Sequence, residues 1–162
     1  MLSSDGATKG VNFPRISTWA LFALQLFTGG LFAALWLAER KDRFNEGLEK
    51  EIVHTKDLVL LALFMGFPML FEGAYAADPS PTAEGLAGIC ALAAAVWMIV
   101  LSFRLTDRLR ELGELEFGNP ELGAGPFVTN KLWAFLFQFL YLNYKINELQ
   151  QFRQLARAGD EA

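Results

Sequence analysis

The sequence predicts an all-α fold: an integral membrane helical bundle of three transmembrane helices, with a fourth short helix that spans, re-enters or lies at the interface. Three observations predict it. Residues 16–37, ISTWALFALQLFTGGLFAALWL, carry no charge and run straight into Arg40, Lys41 and Arg43. As one helix rising about 1.5 Å per residue they cover about 33 Å, enough for a hydrocarbon core of about 30 Å. Two further apolar blocks, residues 58–77 and 86–105, have nearly the same length. Finally, apolar residues make up 53% of the chain, above the roughly 45–50% of soluble domains, and they are gathered into these blocks with the charges in the gaps.

A chain of 162 residues has length for one membrane domain and not for two. Its net charge is −4, and no basic run is interleaved with aromatics, so nucleic acid is not an expected partner. Cys90 and His54 each stand alone in their residue type, which excludes an internal disulfide and a bis-histidine haem. No metal site and no cofactor are expected.

The first block is longer than the roughly 7–15 apolar residues of a secretory signal, and reads as an uncleaved span. Gly29 and Gly30 stand four residues before Ala33 and Ala34, the small-xxx-small spacing that lets two helix backbones approach in lipid. Residues 38–57 are a solvated connector with five Lys or Arg and six Asp or Glu. His54 lies within it, with nothing nearby to complete a metal site.

The second block, residues 58–77, contains Pro68, which should kink a helix, and Glu72 one turn later. A carboxylate in an apolar run is expensive and reads as functional when deep, or as interfacial when near the helix end. Residues 78–85 form a Pro-containing turn without Lys or Arg. In the third block Ala87, Ala91 and Ala95 recur every fourth position, a second smooth face expected to pack on the Gly29/Gly30 face.

The last apolar block, residues 131–149, is ambiguous. About 20 Å of helix separates Leu132 from Tyr144, too short for a comfortable crossing. Ala134, Gln138, Tyr141, Lys145 and Glu148 share one face of a continuous helix, and Phe135, Leu136, Phe139, Leu142 and Ile146 share the other.

Lys and Arg near span ends mark the cytoplasmic side. With three spans, the first connector and everything from Arg104 onward fall on one side, twelve basic residues against Lys9 and Arg15. A fourth span makes the split nine to five. Either count predicts a multi-pass protein of the bacterial inner membrane with an extracytoplasmic N-terminus and a cytoplasmic first connector.

No G-x-S-x-G, H-E-x-x-H or phosphate-cradling loop is present, so no enzyme is expected. The first reading of function is a non-catalytic accessory, structural or assembly subunit that acts by helix association with other membrane subunits or with itself. The alternative is a small transporter or channel using Glu72, Gln25, Gln138 and Asn143 as a polar path.

Residues 31–46, LFAALWLAERKDRFNE, resemble the G-x-Y-x-x-x-W-x-Y-+ signature that follows the first helix of a small bacterial membrane family, domain of unknown function 4234. Residues 138–149, QFLYLNYKINEL, are similar to that family's closing segment. The family aromatic falls on Phe32, its Trp on Trp36 and its basic residue on Arg40. Phe32 in place of Tyr, and Ala38 where an aromatic is common, are departures. The resemblance implies a multi-spanning bacterial membrane protein and no activity. The two segments also resemble each other, as a decayed internal repeat would or as any two cytoplasmic span ends would.

Overall fold

Residues 16–37 do not form one helix. The structure, a computed structural model, describes residues 11–75, 81–118 and 127–160. In it the first apolar block is divided into α1 (Thr18–Phe27) and α2 (Phe32–Asn45). The division is a helix stop followed by a restart. Gly29 and Gly30 have φ of +57° and +89°, the left-handed region that glycine enters without a Cβ penalty. The Gly30 N–H donates to the Gln25 carbonyl at 2.8 Å, the long bond of a Schellman ending with Thr28 as C-cap. The Thr28 hydroxyl then donates to the Leu24 carbonyl and accepts the Phe32 N–H, so the same side chain closes α1 and opens α2.

The two helices fold back on each other. In one straight helix Thr18 and Trp36 would lie about 27 Å apart. Instead both bond to the same Asn143 amide, at 3.2 and 3.1 Å. Nearer the open end, Arg40 Nη2 donates to the Pro14 carbonyl, and the Phe13 and Phe44 rings lie 5.0 Å apart. Thus α1 and α2 form a helical hairpin with its turn at residues 28–31. The expected first transmembrane helix is corrected accordingly. So is the expected separation of the N-terminal segment from the first connector, since residues 11–17 and the end of α2 lie together.

Gly29 and Gly30 therefore make a turn, where the sequence reading placed a smooth helix face. Met69 and Met65 cover them, each with its Cε 3.2 Å from where a Cβ would stand. Gly30→Ala should cost about 1–2 kcal/mol, because a side chain at that φ is strained and must also displace Met65. A thermal melt in mild detergent checks this; an unchanged midpoint would mean that the turn tolerates an L side chain.

After α2 the chain is turned by Asn45, whose side chain bonds the backbone of Ile52 and Val53. The next helix, α3 (Thr55–Tyr75), continues through Pro68 for 21 residues, about 31 Å. Asp57 accepts the His54 N–H at 2.8 Å and caps its start. The long α4 (Pro81–Phe117) packs on α3, and the short link between them makes the pair antiparallel. Its residues Glu84–Phe117 form a helix long and apolar enough to cross a membrane, and 17% of their most apolar stretch is buried. Ile89, Leu92 and Val96 are exposed on it. Ala91 and Ala95 are exposed too and Ala87 is half-buried, so α1 does not cover this stripe among the described residues.

The last helix, α5 (Lys131–Asp160), is broken at Gln138, which has φ 44° and ψ −119°. Here too the chain reverses. Asn130 N–H donates to the Tyr141 hydroxyl at 2.6 Å, and Lys145 Nζ lies 5.3 Å from the Phe127 ring. A straight helix from Lys131 to Lys145 would have carried Lys145 about 21 Å from the helix start, away from Phe127. Residues 131–137 and 139–160 are thus two limbs of a second hairpin. Of the two faces predicted for a continuous helix, Phe139, Leu142 and Ile146 are buried, but Phe135 and Leu136, before the break, are exposed. The described residues are all-helical with no strand.

Candidate functional site

The two hairpins are joined by a ladder of side chains on α5. Asn143, Asn147, Gln150 and Arg153 recur every three or four residues and so share one helix face. Each donates to a backbone carbonyl of the non-helical segment that leads into α1. Asn143 and Asn147 bond the Ile16 carbonyl at 2.8 and 2.9 Å. Gln150 bonds the Phe13 carbonyl and Arg153 bonds the Val11 carbonyl. A non-helical segment has carbonyls with no partner of its own, and burial beside a helix would leave them unsatisfied. The ladder supplies the missing donors.

Asn143 is the hub. It is 0% exposed, and besides Ile16 it bonds Thr18 Oγ1 and accepts the Trp36 indole N–H. One amide therefore holds α1, α2 and α5 in register. The Arg40 guanidinium lies 4.8 Å from the Trp36 indole centroid. It is also wholly buried and donates to the carbonyls of Pro14 and Trp36 and to Glu39. Burial lowers its proton affinity, and the Glu39 carboxylate opposes that shift. At the far end Arg153 grips Glu116 of α4 with two nitrogens at 2.6–2.7 Å. Arg108 of α4 donates to the Phe44 and Glu46 carbonyls at the base of the first hairpin. The buried polar side chains of this end tie backbone to backbone.

Between the hairpins lies an open, mostly apolar cleft of about 740 Å³, with Trp19 and Phe22 on one wall and Trp133, Phe137 and Tyr141 on the other. Lys145 stands at its edge, where Glu148 pairs with it. The described residues that line this cleft include no Ser, Cys, His, Asp or Glu. Among the described residues no three His, Cys, Asp or Glu side chains come together to hold a metal.

The residues expected to form a polar path are dispersed. Gln25 is half-buried in α1 with no partner for its Nε2 among the described residues, Gln138 is the break in α5, and Asn143 is the structural hub. The Glu72 side chain lies outside the described part of the structure. In the sequence Arg40 stands out only as part of the basic stop after the first block, and Gln150 and Arg153 not at all. The spacing 143, 147, 150, 153 was the available signal, four hydrogen-bonding side chains on one helix face.

In comparisons with known proteins, no family model, no curated protein and no solved structure matches the chain.

Proposed function

We propose that this is a non-catalytic integral membrane protein, crossed by α3 and α4 only, with the two hairpins entering the bilayer from a single side. The observation that carries this reading is the distribution of charge. Arg15, Arg40, Lys41, Arg43, Lys50 and Lys56 lie at the end of the bundle where the hairpins open. Arg108, Lys131 and Arg153 lie there as well, as the Arg108 bonds to Phe44 and Glu46 and the pairs Lys131–Asp107 and Arg153–Glu116 require. Residues 58–103 contain no Lys or Arg. This is a sharper asymmetry than any arrangement with residues 16–37 crossing, and it supports a cytoplasmic location for the charged end. The exposed apolar face of α4 supports lipid contact, since a core helix of a soluble domain would be mostly buried.

The role that follows is association: an accessory or assembly subunit whose rigid, charged end presents a surface to other membrane proteins or to a second copy. Kinship with the domain of unknown function 4234 family is likewise a proposal. It rests on the two resembling segments alone.

The topology is tested by single cysteines in a Cys90→Ser background. Ser17→Cys, Glu46→Cys and Gln151→Cys should all react with a membrane-impermeant thiol reagent from the cytoplasmic side, and Thr82→Cys from the opposite side. Labelling of Ser17→Cys and Glu46→Cys from opposite sides would restore the first block as a span and refute the hairpin reading.

A further inference from the structure

We infer that the protein is a molecular wedge that favours membranes curved away from its hairpin side. The inference rests on the two-crossing topology proposed above and goes beyond it. At the level of the bilayer next to the charged end, six helical limbs lie side by side: α1, α2, α3, α4 and both limbs of α5. The limb of residues 131–137 reaches about 10 Å before Gln138 turns it back. The first hairpin reaches Met65 and Met69, which stand 8 and 12 residues beyond Asp57, the last charge of α3 before its apolar run. That depth is about 12–18 Å, roughly half of a hydrocarbon core of about 30 Å. Beyond the Gly29–Gly30 turn only α3 and α4 continue among the described residues.

The cross-section therefore falls in steps. A helix with side chains is about 10–12 Å across, so six limbs occupy about 600 Å² and two occupy about 200 Å². Lipid adjusts to such a taper most easily where the leaflet beside the hairpins is the expanded, convex one. The taper is stiff, because the Asn143 hub, the α5 ladder and the Arg153–Glu116 pair bind the limbs to one another. The hairpin tips also carry the surface expected of buried wedges. Leu26 and Phe27 in the first, and Leu136 and Phe137 in the second, are exposed apolar side chains.

The test uses the full chain reconstituted from detergent into small sonicated and large extruded vesicles of one zwitterionic–anionic lipid mixture. The Glu46→Cys, Cys90→Ser protein reports orientation through an impermeant thiol reagent, and Ser17→Cys reports whether the hairpin topology holds. The expected result is a severalfold higher protein density on the small vesicles, with Glu46→Cys facing outward there and closer to randomly oriented in the large ones. Leu136→Asp, which draws the shallow hairpin out of the lipid, should reduce both effects while near-UV circular dichroism stays native. Equal density and equal orientation at both sizes, with Ser17→Cys and Glu46→Cys still on one side, would overturn the wedge and leave the topology standing. Labelling of those two positions from opposite sides would overturn both.

Discussion

Asn143→Leu is expected to destabilise the protein by roughly 2–4 kcal/mol, because each buried group left unpaired costs about 1–3 kcal/mol. Leucine is close in size to asparagine, so little volume is lost. What is lost is the acceptor for the Trp36 indole and the donors to Thr18 and Ile16. Water cannot replace them at a site that is 0% exposed. The Ile16 carbonyl keeps Asn147, so the indole N–H is the group left most exposed to the penalty. Asn147→Leu is the control, since its loss leaves Ile16 bonded to Asn143. Melting in mild detergent should place Asn143→Leu well below wild type and Asn147→Leu nearer to it. Equal midpoints for the two variants would deny Asn143 its role as hub.

Phe127→Ala should be comparably damaging, at about 3–5 kcal/mol for a buried phenylalanine reduced to alanine. Phe127 is 1% exposed and fills the space against Gly113 of α4 that a Cβ there would occupy. The Lys145 ammonium lies over its other side. It is the residue that anchors the chain before it enters the second hairpin. Gly113→Val tests the same contact from the other partner, by forcing the ring out. Trp133→Ala is the contrast: that ring is 50% exposed and removes little packing. Both Phe127→Ala and Gly113→Val should lower the detergent melting temperature and increase protease cutting near residue 130. A Trp133→Ala variant as unstable as Phe127→Ala would mean that the hairpin is held by its exposed rings instead.

Much of this architecture was legible in the residues. The absence of strands follows from long apolar blocks, and the concentration of Lys and Arg outside residues 58–103 follows from counting. The first reversal was also legible. Thr28-Gly29-Gly30 is a helix stop of ordinary chemistry, a C-cap followed by a glycine at the left-handed position. Gly followed four residues later by Ala is equally the mark of close helix packing in lipid, and the block has the right length to cross. The two readings differ only in the sign of φ at Gly29 and Gly30, which no side chain announces.

The second reversal could not have been read. Gln138 is neither glycine nor proline, and its helical neighbours give no reason for a φ of 44°. Such a conformation persists where the surroundings hold it, here Phe127 against Gly113 and Asn130 against Tyr141. Asn143 shows the same division. Local pattern identified it as a polar residue on an apolar helix, which in a membrane chain suggests a conduit. Only the fold brings Ile16, Thr18 and Trp36 to its amide, and those partners convert a candidate path into a fastening. Composition and periodicity determined that this protein is helical and where its charge lies, because those depend on residue type and spacing. Which segments turn back was decided by contacts beyond the local pattern, from Asn130 with Tyr141 to Trp36 with Asn143, whose energies no local stretch contains.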